Sequence, residues 1–461
     1  MLMNNRNVGL ILPRFLTIIG LITLSFFIVE LPVHGFLSTY LGTFVSNPEI
    51  LKGIKDIPNY LLFLIYSIFL LLNFKQIKSL LKDKVILLMM LYLAFVVLIS
   101  VTRQYYTGGL ATLIGFLFDT RYVVIAFNAY ILFRFGDFDR QWFLYVFTRV
   151  LLIEAAILVI LGFLQVYVLP RDFLTQFGYV KYETIAPYIE YKEGNGILRA
   201  YATTRGPNEY GAFMVFAFAI SMAVKRRPIR RFLMAFLLLG VLLSGSRAAL
   251  IASIISFCTY LAYKYGSKVL FKRKVIFGAF VAILLIITIL FASYKIPAIR
   301  LTIFHSDSSS SSLVEGSTEK HVFLAMEGIE YATSNLLGCG VGCAGPASRF
   351  SSEALISESY VVQIAQELGL IGLIIWVAMQ VTLIAELIKN RSKGEYYFSI
   401  ISSFYGITFI ALVLHIWTDE LVALTWWMFA GCLLGNEEYR NLLLRKMREK
   451  RKHNKKATRI A

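Results

Sequence analysis

The chain has 461 residues, 58% hydrophobic and 16% charged, with a mean hydropathy of +0.68 and a formal net charge of +18. A water-soluble domain is usually about half apolar at most, so this composition excludes an ordinary soluble fold. The lysines and arginines sit in short clusters between apolar runs, so the positive charge reads as membrane topology rather than nucleic-acid binding.

A hydrocarbon core of roughly 30 Å needs about 20 apolar residues in helical form. The apolar runs are continuous, whereas a β-barrel would show short alternating segments. They predict an all-α, polytopic integral membrane protein with about twelve spans, by the helical length rule. In chain order these fall at 15–33, 60–74, 85–101, 110–133, 142–168, 208–224, 232–245, 247–263, 275–293, 361–387, 397–415 and 421–435. The first run follows Arg6 and Arg14 and has no small-residue cleavage site behind it, so it reads as an uncleaved span. The whole of 1–435 reads as one membrane domain, followed by a basic tail, 436–461.

Alternate loops carry the charge. They hold Lys75, Lys78, Lys82 and Lys84; Arg134 and Arg140; Lys225 to Arg231; Lys264 to Lys274; Lys389, Arg391 and Lys393; and the tail. With the N-terminal pair they account for about two-thirds of the 46 basic residues. That asymmetry predicts cytoplasmic N- and C-termini in a bacterial cytoplasmic membrane, and makes every other loop extracytoplasmic. Two of the outward loops are long, about 169–207 and 294–360, and loops of that length are usually functional or disordered. The second carries a serine run, Ser308 to Ser312, and then Val322, Met326 and Ile329 at helical spacing. That spacing fits an amphipathic helix on the outer membrane surface and, equally, a helix packed on other spans.

Three arginines mark the outward side: Arg199 and Arg205 ahead of the sixth span, and Arg247 where the seventh turns into the eighth. Arginine's planar fork matches phosphate oxygens, so arginines gathered at the outer rim suggest an anionic lipid-linked ligand. Singly, each would serve as an anchor to lipid headgroups. Gly206-Pro207-Asn208 is an ordinary helix entry, and Asn208 is there both a candidate sugar contact and a plain entry residue. The run Gly338-Cys339-Gly340-Val341-Gly342 lacks the lysine and hydroxyl residue of a phosphate-binding loop. Its glycines permit a tight turn, and Cys339 and Cys343 are spaced for a small disulfide. Glu358, at the mouth of the tenth span, is a candidate general base or a helix N-terminal acid complementing the dipole. His305, His321 and His415 show no metal-ligand spacing, so no metal site is expected. His321 is an alternative base or substrate contact, and Tyr360 a further substrate contact.

These pieces resemble the bacterial O-antigen polymerase and O-antigen ligase superfamily over roughly 195–385. The resemblance rests on Arg199 with Gly206-Pro207-Asn208, on Ser244-Gly245-Ser246-Arg247, and on Leu337 to Gly342 followed by Glu358-Ser359-Tyr360 and Glu367-Leu368-Gly369-Leu370-Ile371-Gly372. It implies a membrane glycosyltransferase using an undecaprenyl-diphosphate-linked glycan, without cofactor, nucleotide sugar or metal. Arg247 and Glu358 would be catalytic, and Arg199, Arg205, Asn208, His321 and Tyr360 would bind substrate. Ligases of the superfamily carry a His-Asn pair where this chain has Glu358 and Ser359, a departure that favours a polymerase of surface polysaccharide. Membrane lipid, a flippase and a chain-length regulator are the partners such a role implies. A ligase acting on another acceptor is the alternative. A flippase of lipid-linked sugars would instead call for central charges and an internal repeat. A membrane acyltransferase centred on His415, beside Asp419 and Glu420, is more distant.

Overall fold

The computed structural model describes residues 11–45, 48–73, 80–181, 188–189, 198–266, 315–351, 355 and 358–436. Within them the regular structure is helical, apart from a two-residue parallel strand pairing, Val180–Lys181 with Tyr188–Ile189, and an isolated bridge between Ala344 and Leu355. The helices are α1 (Arg14–Gly42), α2 (Pro48–Ile54), α3 (Ile57–Leu72), α4 (Lys84–Thr107), α5 (Gly109–Phe135), α6 (Arg140–Tyr167), α7 (Pro207–Ser221), α8 (Arg227–Leu243), α9 (Arg247–Tyr265), α10 (Glu315–Ser334), α11 (Tyr360–Lys389), α12 (Glu395–Ala411) and α13 (420–436). The expected span 275–293, the serine run and the basic tail lie outside the described residues.

Among the described residues, seven helical stretches are long and apolar enough to cross a membrane: Arg14–Gly42, Leu51–Leu72, Lys84–Arg103, Gly109–Phe135, Arg140–Tyr167, Arg247–Tyr265 and Tyr360–Lys389. The chain is therefore a multi-pass membrane protein. Four further helices, α7, α8, α12 and α13, coincide with expected spans but are shorter. Two of these sit inside the bundle. Every residue from Tyr210 to Ser221 in α7 and from Leu421 to Gly435 in α13 is buried, as a helix apolar on all sides requires. The inner half of α5, Asp119 to Phe133, is enclosed in the same way. The other helices face outward with large apolar side chains, among them Ile22, Leu72, Ile153 and Val381, a surface that only lipid satisfies.

Small residues bring helices close. On α12, Gly406 lies against Ala252 and Ser256 of α9, with no room for a Cβ. Trp417, Trp426 and Trp427 stack edge to face at 5.4–6.1 Å between ring centres and fill the core at the start of α13.

The helix ends separate into two sides. At one, Leu12 N–H donates to Phe135 O, and Arg140 donates from Nε and Nη2 to Phe133 O and Gly136 O, closing the carbonyl end of α5. Lys264 and Glu395 pair at 2.6 Å between α9 and α12. At the other side α1 ends and α5 begins, and there the chain gathers its buried charges.

Both readings of the Val322, Met326 and Ile329 spacing stay compatible with the position of α10. Helix α10 packs on α11 through Leu324, Gly328 and Ala332, while Met326 and Ile329 are exposed. Gly328 lets Val362 and Gln366 come against the α10 backbone. The packing seam is therefore the small-residue face, not the one marked by Met326 and Ile329.

Candidate functional site

The first group forms around the turn between α8 and α9. Helix α8 ends at Leu243 with Ser244 as its cap, Gly245 takes a φ of 61°, and Ser246 caps α9 by accepting the Ala249 N–H at 3.4 Å. Arg199 reaches across this turn. Its Nε donates to Ser244 O at 2.8 Å and its Nη2 to Asn208 Oδ1 at 2.9 Å. The backbone around it is fixed separately: Ala200 N–H donates to Leu243 O, and Gln165 Oε1 accepts the N–H groups of Tyr201 and Ala202 at 3.1 and 2.9 Å. One guanidinium thus ties the entry of α7 to the α8–α9 turn. Arg247, at the first position of α9, is exposed on the same turn. The structure brings together Arg199, Asn208 and the Ser244–Arg247 turn, which lie up to 48 residues apart in sequence.

The second group starts at Arg205. The 203–206 strap lies against α1, where the Thr203 hydroxyl donates to Pro32 O at 2.6 Å and Gly35 leaves room for the passing backbone. Arg205 Nη2 pairs with Glu420 Oε1 at 3.1 Å. Glu420 is a hub: Lys55 Nζ lies 2.6 Å from it, Arg121 Nη1 3.3 Å and His34 Nε2 3.8 Å. Arg121 also meets Asp56 at 3.4 Å and donates to Thr418 O, and His34 bonds Glu30. Lys55, Asp56, Arg121 and Glu420 are each at most 3% exposed, whereas the Arg205 side chain is 31% exposed. The network therefore has one outward cation and a buried interior, with five chain segments meeting at one carboxylate. Burial would raise the pKa of Glu420, but Arg205, Lys55, His34 and Arg121 outweigh it and hold the carboxyl well below its usual range. Its neighbour Asp419 behaves oppositely. Burial, with Glu209 and Glu420 nearby, pushes it up to about 7 against the opposing Val422 N–H and Arg205.

The third group lies where α10 returns to α11. Ser359 caps α11 by accepting the Val362 N–H, and Glu358 precedes it, half-buried. Helix α11 is broken at Gly369, which has φ 68° and ψ −175°. The glycine turn seats in that break: Cys339 N–H donates to Gln366 O at 2.9 Å, Gly340 N–H to Glu367 O at 3.1 Å, and Leu370 N–H to Leu336 O at 3.1 Å. Cys339 and Cys343 form a disulfide across the turn. Beneath it Gln363 donates to Glu367 at 3.1 Å, and Asp119 of α5 faces Glu367. Tyr360 is fully buried, with its hydroxyl against Asp119 Oδ1 at 3.4 Å and Tyr122 at 3.1 Å. The first turn of α11 points this expected substrate contact inward, between α11 and α5. His321 lies on α10, and its side chain is outside the described residues.

Lys55, His34, Asp119, Arg121 and Glu420 are absent from the sequence-derived site. A signal was present for two of them. Asp119 and Arg121 interrupt the apolar run of α5, and ionisable residues within a span are expensive enough to be functional candidates.

Residues 232–377 match the family described as O-Antigen ligase, a stretch that holds the α8–α9 turn, the glycine turn, Glu358 and the helix break. The chain is also 26% identical over 188 residues to an O-antigen polymerase of Salmonella muenchen, covering 39% of this chain and 45% of that relative, less than half of its length. Part of the chain is thus similar to the O-antigen ligase family, and a share of it to an O-antigen polymerase.

Proposed function

We propose that this protein is a polymerase that joins undecaprenyl-diphosphate-linked oligosaccharide repeat units into a surface polysaccharide. The work would be done on the outer face of the cytoplasmic membrane by about twelve spans with both termini inside. The observation that carries the reading is the arginine set on one side of the bundle: Arg199 seated across the α8–α9 turn, Arg247 exposed on that turn, and Arg205 at the outward end of the buried network. A membrane-embedded diphosphate needs such donors, and charge-assisted arginine forks supply them.

In the reaction, a sugar hydroxyl of the acceptor attacks the anomeric carbon of the donor. The new C–O bond forms as the bond to the lipid diphosphate breaks, and the diphosphate leaves with the electron pair. Arg199, Arg205 and Arg247 stabilise its growing charge. Glu358 takes the hydroxyl proton. Asn208 orients the donor sugar, and His321 contacts the lipid-linked glycan from α10. No cofactor or metal enters this scheme. A flippase that delivers the repeat units and a chain-length regulator are the partners it calls for, with membrane lipid around the bundle.

The alternative is ligase-type transfer of a finished lipid-linked glycan to another acceptor, which the description of the matching family favours. Deleting the gene and sizing the surface polysaccharide on a gel separates the two. Loss of long chains with single repeat units still displayed supports the polymerase. Accumulation of long polymer on the carrier lipid overturns it in favour of the ligase, and loss of every exported unit points to a flippase.

A further inference from the structure

The break in α11 is closed by a segment that is distant along the chain and is itself a covalent loop. Losing the helix at Gly369 frees the carbonyls of Gln366 and Glu367 inside the bundle, where an unpaired backbone group costs as much as a lost hydrogen bond. The turn supplies the missing donors from Cys339 and Gly340, and α11 returns the Leu370 N–H to Leu336 O. The seat has no slack. A Cβ on Gly338 would strike Gln366 O and the Gly369 N, one on Gly342 the Ala111 and Thr112 backbone, and one on Gly340 the Arg103 side chain at 2.8 Å. The turn is thus wedged between α11 on one side and α4 and α5 on the other. Gly342 N–H further donates to the Glu367 carboxylate, one of two carboxyl groups enclosed beneath the turn.

The Cys339–Cys343 bond spans the part of the turn that holds the Cys339, Gly340 and Gly342 donors, with Leu336 and Gly338 just ahead of it. Its two sulfurs are not equivalent. Cys343 is 4% exposed and buried under the turn, whereas Cys339 is partly exposed at its outer edge, with Sγ 3.2 Å from Gln366 O. A thiol arriving from the aqueous side meets Cys339 first. An extracytoplasmic loop also lies where disulfides persist and are exchanged.

We propose that Cys339–Cys343 is a redox modification site, made and broken by a dithiol–disulfide oxidoreductase of the cell envelope, whose state sets whether the glycine turn stays seated in the break of α11. The thiolate of the reduced enzyme attacks Cys339 Sγ. A bond forms between the two sulfurs as the Cys339–Cys343 bond breaks, and Cys343 leaves as a thiolate and takes a proton. The second thiol of the enzyme then attacks the mixed disulfide and releases Cys339, so two electrons and two protons pass from the enzyme dithiol to this pair. Oxidation runs the same steps in reverse, with the disulfide form of the enzyme as oxidant. The inference rests on the outward placement of the turn and not on which glycan is transferred.

Three measurements on the full chain test it. In native membranes, free thiols are blocked under denaturing conditions, the sample is reduced, and a maleimide mass tag is added. Two tags only after reduction are expected, and the absence of tagged cysteines after reduction overturns the site. A thioredoxin-fold enzyme with its resolving cysteine replaced by serine should be trapped on Cys339, as read by peptide mass; no adduct, or an adduct on Cys343, overturns the assignment. Amide hydrogen exchange at Cys339, Gly340 and Leu370 should speed by about tenfold on reduction, since closing so short a loop contributes a modest chain-entropy term. The Cys339→Ser/Cys343→Ser protein should match the reduced wild type. Equal protection in oxidised and reduced protein shows that the bond does not pin the turn, and the proposal fails.

Discussion

Arg199 is held in one orientation by acceptors from two different elements. Its fork is satisfied by a carbonyl from one helix end and an amide oxygen from another, at 2.8 and 2.9 Å. Lysine carries the same charge but cannot span both acceptors with one planar group. Arg199→Lys should therefore reach the membrane in normal amount yet lose at least about tenfold in long-chain polysaccharide, with Arg199→Ala lower still, because the lost bonds are charge-assisted. Quantitative gels of surface polysaccharide against membrane protein level check this, and full activity in Arg199→Lys would show that the fork geometry is irrelevant. Arg247 is exposed on the turn and its fork is not spent on bridging two helix ends as that of Arg199 is, so Arg247→Lys should be the milder of the two lysine exchanges on the same gels. Asp419 gives a pH prediction. Its folded pKa, about 7, lies above the usual carboxylate value, so the folded protein binds a proton that the unfolded chain does not hold between those two values. Its contribution to stability is complete below the unfolded pKa and is lost as pH rises towards 7. Asparagine keeps an oxygen for the Val422 N–H and cannot titrate. Thermal midpoints in detergent should fall less between pH 5 and 7.5 for Asp419→Asn than for wild type, and parallel curves would refute the assignment. At this scale the arginines and Asn208 were legible because each interrupts or borders an apolar run. The Glu420 hub was not: its partners come from α1, the α2–α3 junction, α5 and the 203–206 strap, and nothing local marks a contact between residues 299 apart, such as Arg121 and Glu420.

At the scale of elements, hydropathy located most helices to within a few residues, since burial against lipid or core is what such patterning records. Three features escaped it. Helix α1 continues to Gly42, well past the expected end at residue 33, because its polar last turns pack against the 203–206 strap and the chain near Phe177. The seam of α10 follows small residues, which hydropathy undervalues. The break in α11 is invisible because Glu367-Leu368-Gly369-Leu370-Ile371-Gly372 continues an apolar run, and only the positive φ of Gly369 betrays it. Gly338 shows how tightly the break is filled. It has a φ of 71°, and an added Cβ would meet the Gly369 N at 2.6 Å. Gly338→Ala thus combines a left-handed backbone penalty with a clash that only movement of the turn relieves, together about 1–3 kcal/mol. Its melting temperature in detergent should drop by several degrees, whereas Gly394→Ala, where a Cβ meets nothing within 4 Å, should change it little. Equal shifts in the two proteins would mean that the turn is not under the constraint its geometry implies.

At the scale of the whole molecule, the buried charges explain why the bundle has two unlike ends. One end is closed by basic side chains that satisfy helix carbonyls, as Arg140 does for α5. The other keeps its cations for the interior network, for Arg205 on the 203–206 strap and for Arg199 on the segment ahead of it. In the proposed topology the first end would be cytoplasmic, as the charge asymmetry implies, and the helix order puts Gln176 and Arg227 at opposite ends, both exposed. In spheroplasts, a membrane-impermeant maleimide should label Gln176→Cys directly and Arg227→Cys only after permeabilisation, each read as an extra mass shift above the wild-type background. The same arrangement of helices would fit equally well inverted, because nothing in helix packing senses which leaflet is which. The decision comes from the net positive charge of the Lys225–Arg231 segment, which would have to cross the bilayer in the inverted state. If labelling came out reversed, Arg199, Arg205 and Arg247 would face the cytoplasm, where a glycan already carried across the membrane could not reach them. The polymerase and ligase readings would then fall together, while the helix packing and the Glu420 network would stand unchanged.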